Sequence, residues 1–455
     1  MKNYDLIVIG GGPGGYPLAV RMAKKGWSVA LIEEDNVGGT CLNWGCIPSK
    51  ALLASAKGFH FLKHASAFGL QCEKASFSWE TILARKNDVV DKLKGGIEKL
   101  LAKHNVELVK GSARLFAGNI VKVPGANSWE GAGAKVCLAI GSKPAIPGFF
   151  PQNREFIWSS DEALFAPAVP ERLLVIGAGV IGLELGQVFS EFGAKVTVIE
   201  MMSQILPGLD VATAKRLLPV FKKAGLDILL GKKVDRLEIV GKTVKAVFDG
   251  ETREFDRVLV ATGRKPNLSV FEGTGIQAAL EGNFLKISPN FETTLPNVFA
   301  IGDCVPGPML AHKASYDAYV LASQWLSTSL QADYGTVPCC VYTYPEVAWV
   351  GWSEEQAQAQ GVAYKVGRSL FSANGKALAA GEPDGQIKTL VSEQGKLLGA
   401  VLWGPEVSNL IMEPTLVKRC GIDLHAFEQV IHPHPTLAEV FQESFENAFG
   451  EGVHG

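Results

Sequence analysis

Short apolar runs broken by glycine recur along this chain. The first lies in DLIVIGGGPGGYPLAVRMAKKGWSVALIEED, from Asp5, and predicts a strand, a glycine turn, a helix and a second strand ending in an acid. The pattern returns in RLLVIGAGVIGLELGQVFSEFGAKVTVIEMM, from Arg172. At a shift of 167 positions Gly10, Gly12, Gly15 and Glu33 fall on Gly177, Gly179, Gly182 and Glu200, and Gly26 falls on Gly193. VCLAIGSKPAIPG, from Val136, reads as a strand and turn closing the first unit, and VLVATGRKPN, from Val258, closes the second. LPNVFAIGDC, from Leu295, is a further strand leading back to the first unit. GPMLAHKASYDAYVLASQWL follows as a helix, with Met309, Leu310, Ala311 and His312 at its N-terminus. Beyond about Tyr334, strands and turns precede helical stretches from about Asn409, which predicts a separate α+β unit without a nucleotide motif.

The glycine turns have a chemical reading. The first glycine permits the tight turn, the second lets backbone approach a pyrophosphate, and the third lets helix and strand pack closely. The helix N-terminus adds positive potential, and the acid accepts hydrogen bonds from ribose hydroxyls. In each copy the acid stands 18 residues after the last glycine, on the strand–turn–helix–strand context the motif requires. Two such sites in one chain imply an electron-transfer enzyme with a bound flavin and an exchangeable nicotinamide nucleotide. Cys41 and Cys46 follow directly on the first copy, which places FAD there and the nicotinamide on the second. Met201 and Met202 follow Glu200, with no arginine to receive a 2′-phosphate, so NAD is expected over NADP.

At 455 residues the chain is too long for one core. The reading is α/β: two Rossmann-like domains and a C-terminal α+β domain. Residues 1–142 form the first part of the FAD domain, 143–262 the NAD domain, 263–333 the second part of the FAD domain, and 334–455 the last domain. A net charge of −2 without a long basic run gives no electrostatic footprint for nucleic acid. No apolar run reaches membrane-span length, and mean hydropathy of +0.15 fits buried α/β cores. The N-terminus shows no secretory signal, and eight scattered cysteines do not make a disulfide framework, so a cytoplasmic location is expected. With no second Cys/His pair at ligand spacing nearby, no metal is expected at Cys41 and Cys46. Two unlinked core thiols and a redox couple remain open for that pair.

GGTCLNWGCIPSKALL, GVIGLELG, ATGRKPN, AIGDC, MLAHKA, YPEVAWVG and HPHPTLAEVF occur in the order found in flavoprotein disulfide reductases. Together they span the chain from about Asp5 to Phe445, and within that group IPSK and HPTLAE resemble the dihydrolipoyl dehydrogenases. The resemblance implies oxidation of a dihydrolipoyl group to its disulfide, with electrons passing through FAD to NAD⁺. It makes Cys41 the interchange thiol and Cys46 the thiolate beside the flavin, and pairs Lys50 with Glu184 next to the ring. It makes His434 the base, supplied by the partner of a homodimer and oriented by Glu439, and leaves His432 to packing. Gly39, Thr40, Gly141, Asp303 and the 309–312 segment would complete the FAD contacts, and Gly263 those of NAD. The partner implied is a separate lipoyl-bearing carrier of a 2-oxoacid dehydrogenase or glycine cleavage complex. A reductase for another disulfide and a non-catalytic flavin-bound subunit are the rival readings.

A Cys41–Cys46 bond also sets a geometric demand. A disulfide needs Cα atoms roughly 4.4–6.8 Å apart, whereas residues five apart in a straight helix are separated by about 7.5 Å of rise. The segment must therefore bend, and Gly45 and Pro48 suit that. The sequence departs from the family at Ser315–Ala318, where acidic residues are usual, at Tyr344, where His or Asp is common, and at Lys376, often arginine.

Overall fold

All five residues of the strand Val29–Glu33 are buried, which is the burial of a strand covered on both faces. In the computed structural model, which describes residues 1–126, 128–326 and 330–454, it lies inside a seven-stranded sheet. Residues 127, 327–329 and 455 lie outside the described residues. Lys2–Ile9 pairs in parallel with Val29–Glu33 on one side and with Trp129–Leu138 on the other. The C-terminal half of Trp129–Leu138 also takes up Val298–Ala300 in parallel, Val136 opposite Val298. A segment 160 residues away thus returns to the first sheet and brings Ile301 against Gly14 of the first glycine turn.

The second glycine unit has its own sheet, in the order Leu226–Leu230, Lys195–Glu200, Arg172–Ile176, Arg257–Val260 and Ile157–Trp158. Its pairs are parallel. Two short strands, Ser142–Pro144 and Arg264–Pro266, pair antiparallel where the chain leaves the first unit and comes back to it.

The last unit is an antiparallel five-stranded sheet between Cys339–Val341 and Tyr364–Leu370. The strand beside its Tyr364–Leu370 edge, Gln386–Ser392, is buried at every position. Val440, Phe441 and Phe445 of the helix Glu439–Glu446 cover one face through Ile387 and Val391. On the other face Val341, Val347 and Val401 share a core with Leu52 and Ala56 of the helix Cys46–Lys63 and with Leu185 and Phe189 of Val180–Glu191. The three units therefore meet at two helices, those that begin beside Cys46 and Gly179. Among the described residues no helix is long and apolar enough to cross a membrane.

Candidate active site

The two glycine turns are built alike, down to individual hydrogen bonds. Gly10 and Gly177 have φ of +101° and +108°, and a Cβ on either would lie 2.2 Å or 2.4 Å from the carbonyl oxygen of Ala139 or Ala261. Both positions therefore require glycine. A Cβ on Gly15 would sit 1.8 Å from Gly10 O, and one on Gly182 2.0 Å from Gly177 O. Glu33 accepts from the N–H of Gly11 at 2.7 Å and of Asp35 at 2.9 Å. Glu200 accepts from Ala178 and Met202, both at 2.8 Å. Each acid thus braces its own turn from below, a role the sequence reading missed. Burial raises the pKa of Glu33, and the two backbone hydrogen bonds oppose that rise.

One cavity of about 1170 Å³ gathers most of the expected FAD residues. Gly10, Gly12, Glu33, Gly39 and Thr40 line it, as do Gly141 and Asp303. Met309, Leu310, Ala311 and His312, at the start of the helix Ala311–Trp325, line it too. Gly15 packs behind the turn. Gly12 and Gly39 form a bare backbone cradle: a Cβ on Gly39 would be 2.7 Å from Gly12 Cα. This large, mostly apolar space, with backbone cradle and helix N-terminus, fits a flavin dinucleotide. Gly177, Gly179, Gly182, Glu200 and Gly263 do not line it and belong to the second turn. A Cβ on Gly179 or Gly263 would meet nothing within 4 Å, so the backbone there is open.

Cys41 and Cys46 line the same cavity. The helix breaks between them: Gly39–Trp44 ends, Gly45 takes φ −147° and ψ −111°, and Cys46–Lys63 begins. A Cβ at 45 would stand 2.8 Å from Thr40 O and 3.3 Å from Cys41 Cα, so only glycine lets the chain fold back this closely. The Asn43 amide fixes the short helix by donating to the carbonyls of Asn36, Val37 and Gly39. The two cysteines are unbonded to each other in this structure. Cys41 donates to Cys46, which lowers the Cys46 pKa to about 7; burial opposes this and the Lys50 charge supports it. That bond, burial and the Cys46 charge push the Cys41 thiol far up. The two sulfurs are therefore unequal: Cys46 holds the charge and Cys41 the proton.

Lys50, one turn after Cys46, places Nζ 2.8 Å and 3.1 Å from the two Glu184 oxygens. Asp303 accepts from Ser142 Oγ at 2.6 Å, which in turn accepts from Arg264 Nε at 2.8 Å. Arg264 stands in ATGRKPN, yet nothing in that motif's pattern pointed to Asp303. Asp317, one of the departures, forms a fully buried ion pair with Lys313 at 2.8 Å. It also accepts from Gly302 N–H and Tyr334 Oη, so it holds the backbone just before Asp303. Ser315 Oγ donates to Pro13 O in the glycine turn, Tyr316 lines the cavity and Ala318 is buried. Lys376 is exposed on the helix Gly375–Ala380.

His434 and Glu439 are joined but stand outside the cavity wall. His434 Nδ1 lies 2.8 Å from Glu439 Oε1, and its side chain is 79% exposed. Burial pushes the Glu439 carboxyl up, but hydrogen bonds from Thr436 N–H and His434 outweigh it and hold the group below the usual carboxylate range. His432, by contrast, is nearly covered, bonded to Glu413 at 2.7 Å and packed against Phe427. Among the described residues no group of three or more His, Cys, Asp or Glu is placed to hold a metal.

The sequence and the fold recur in known proteins. Residues 4–318 match the family model for pyridine nucleotide-disulphide oxidoreductases, and residues 337–445 match that family's dimerisation domain. The chain is 39% identical over 460 residues to a dihydrolipoyl dehydrogenase of Geobacillus stearothermophilus, covering 99% of this chain and 97% of the relative. It is 41% identical to one from Thermus scotoductus, over 100% and 99% of the two chains. Among solved structures, LpdA from Mycobacterium tuberculosis superposes with a TM-score of 0.90 at 25% identity, over 98% and 99%. The HOCl-induced flavoprotein disulfide reductase RclA from Escherichia coli, in its Cu(II) complex, gives 0.89 at 27% identity over the same shares. The chain belongs to the pyridine nucleotide-disulphide oxidoreductase family.

Proposed function

We propose that this chain acts as a dihydrolipoyl dehydrogenase, oxidising protein-bound dihydrolipoyl groups with NAD⁺ as acceptor. The observation that carries the reading is the Cys41–Cys46 pair set with Lys50–Glu184 in one dinucleotide-sized cavity. Full-length identity of about 40% to enzymes of that name supports it.

In the oxidised enzyme the two sulfurs form a disulfide. His434 of the partner subunit takes the proton from one substrate thiol, while Glu439 fixes its Nδ1. The resulting thiolate attacks Cys41 Sγ, and the Cys41–Cys46 bond breaks with its electron pair left on Cys46. Lys50 stabilises that charge. The second substrate thiol attacks the substrate sulfur of the mixed disulfide, the bond to Cys41 breaks and the lipoyl disulfide leaves; the proton given up by that thiol passes to the departing Cys41 sulfur. FAD, when bound, supplies the two-electron acceptor for the Cys46 thiolate and the hydride donor for NAD⁺. The sum is dithiol plus NAD⁺ to disulfide, NADH and a proton.

We assign residues 1–142 and 263–333 to the FAD-binding unit, 143–262 to the NAD-binding unit and 334–455 to a homodimer interface. The assignment makes the active site a shared one, because His434 faces solvent on its own subunit. The partner beyond the dimer is a lipoyl carrier of a 2-oxoacid dehydrogenase or glycine cleavage complex, and the compartment is the cytoplasm.

Steady-state turnover with dihydrolipoamide, glutathione and simple dithiols, each with NAD(H) and NADP(H), tests this. Dihydrolipoamide with NAD⁺ is expected to give the highest kcat/KM. A preference for glutathione would favour the rival disulfide reductase, and a lower KM for NADPH than for NADH would overturn the nucleotide assignment. Normal lipoamide turnover in Cys46→Ser would remove the mechanism.

A further inference from the structure

Tyr342 meets the Lys50–Glu184 pair twice, with two different groups. Its backbone N–H donates to Glu184 Oε1 at 2.9 Å. Its ring lies against the Lys50 ammonium, 4.3 Å from Nζ to the centroid. The residue sits just after the strand Cys339–Val341, at the point where the last unit touches the other two.

A second clasp keeps this segment in place. Gln187 Oε1 accepts from Tyr344 N–H and Gln187 Nε2 donates to Tyr344 O, both at 2.6 Å. Glu184 and Gln187 are three apart on one helix and so share a face. Between them they hold residues 342 and 344 much as a neighbouring strand would. In an extended segment those two side chains point the same way, and both reach the helix Cys46–Lys63. Tyr342 lies over Lys50, and Tyr344 packs 4.9 Å from His60 and 5.9 Å from the Lys57 ammonium. The departure at Tyr344 is thus a ring laid along that helix.

What this does to Lys50 follows from charge and geometry. Four groups bear on Cys46: Cys41 across the helix break, Lys50 on its own helix, Glu184 from Val180–Glu191, and Tyr342. Cys340 and Glu346 flank Tyr342 from its own segment. Lys50 favours negative charge on Cys46, whereas Glu184 opposes it. The Lys50 side chain is still 30% exposed, so solvent is open to it on one side. A cation held between a carboxylate and a ring face has a fixed place; without the ring it is free to swing outward, leaving Glu184 as the nearer charge.

We propose that Tyr342 is a positioning residue of the redox centre, its ring and backbone N–H holding Lys50 and Glu184 so that the ammonium stays beside Cys46. The proposal rests on reading Cys46 as the electron-passing thiolate. The last unit then contributes to the chemistry of its own subunit as well as to any dimer contact.

The test is a pH titration of the long-wavelength thiolate–flavin absorbance in two-electron-reduced holoenzyme. Wild type is compared with Tyr342→Phe, Tyr342→Leu and Tyr342→Met. The Phe variant keeps the ring and is expected to titrate with wild type. The Leu and Met variants are expected to raise the midpoint by about half a pH unit, the scale of a part-exposed cation–π contact. Tyr342 is 36% exposed, so neither truncation opens a closed void, and the unbranched Met side chain supplies a second readout if the Leu variant misfolds. Leu and Met variants that titrate with wild type, or a Phe variant that shifts as far as Leu, would overturn the proposal. A wild type lacking the band altogether would sink the Cys46 reading and this proposal with it. Failure of the lipoyl assignment alone would change the preferred dithiol and leave these midpoints where they are.

Discussion

His434 Nδ1 and Glu439 Oε1 lie 2.8 Å apart on a turn that is not part of the wall around Cys41 and Cys46. The proposed base and its orienting carboxylate are thus assembled together, apart from the thiols they are to serve. Replacing His434 with Gln is expected to lower dihydrolipoamide oxidation about 10²–10⁴-fold, the usual contribution of a positioned general base. Glu439→Gln should cost less, because the imidazole loses its brace but remains. Hybrid dimers of Cys41→Ser and His434→Gln subunits provide the sharper check. One of their two shared sites is intact, so activity absent from both parent homodimers should return on mixing; continued inactivity would place His434 with the Cys41 of its own chain.

The sign of the Cys46 shift gives a pH prediction. The donated hydrogen bond from Cys41 is its largest cause and lowers the pKa to about 7. Thiolate is therefore populated above pH 7 and lost as pH falls through it. In the reduced protein, Cys41→Ser keeps an O–H donor, and alkylation of Cys46 followed by mass spectrometry should still rise through roughly pH 7. Cys41→Ala removes the donor and should move that midpoint up, toward the ordinary thiol value near 9. Identical midpoints in the Ser and Ala variants would contradict the assignment of cause.

Lys86 predicts a pH-dependent stability far from the thiols. It is 1% exposed, donates to Leu164 O at 2.9 Å, and lies 3.5 Å from the Phe165 ring centroid. Burial pushes its pKa down to about 8. The unfolded chain therefore binds more protons than the folded one between about pH 8 and 10.4, and stability rises with pH across that window. Lys86→Met removes a penalty that is full at pH 7 and nearly gone by pH 10. Its Tm should exceed wild type at pH 7, on the order of 2 °C, with the gap closing in melts at higher pH. A gap that stays constant with pH would refute the burial argument.

The twin glycine turns separate the two nucleotides experimentally. Gly15→Ala places a methyl group 1.8 Å from Gly10 O, and Gly182→Ala places one 2.0 Å from Gly177 O. The first variant is expected to purify with little or no yellow cofactor. The second should stay yellow but show a KM for NAD⁺ raised on the order of tenfold or more, a loss of about 1.4 kcal/mol or more in binding. The reverse outcome would exchange the two assignments.

The repeat made the parallel strands around each glycine turn legible, and the turns too, because only glycine satisfies those positive φ angles and close carbonyl approaches. Lys50 and Glu184 were legible through the resemblance, since no local pattern links residues 134 positions apart. Their contact depends on two helices crossing under the last sheet. For the same reason Tyr342 and Ser142 left no sequence signal: one acts through its backbone N–H, the other through a hydroxyl in a two-stranded ribbon. The bracing of Glu33 and Glu200 was hidden too. The motif marks these acids for ribose, and their second oxygen bonds appear only when strand and turn are folded together. The expected bend between the cysteines was readable from geometry, and the structure places it at Gly45.

That bend has a mechanical consequence. The helix Gly39–Trp44 lies between glycine joints at Gly38 and Gly45, while Asn43 ties it to the preceding loop. Cys41 rides on this short piece, and Cys46 belongs to the long helix that packs against all three units. A sulfur–sulfur bond made or broken at the joint asks for adjustment in one small part and leaves the long helix under no torque. The protein is built so that its oxidation state is a local event, and reduced and oxidised molecules should present the same outer surface to whatever carrier approaches.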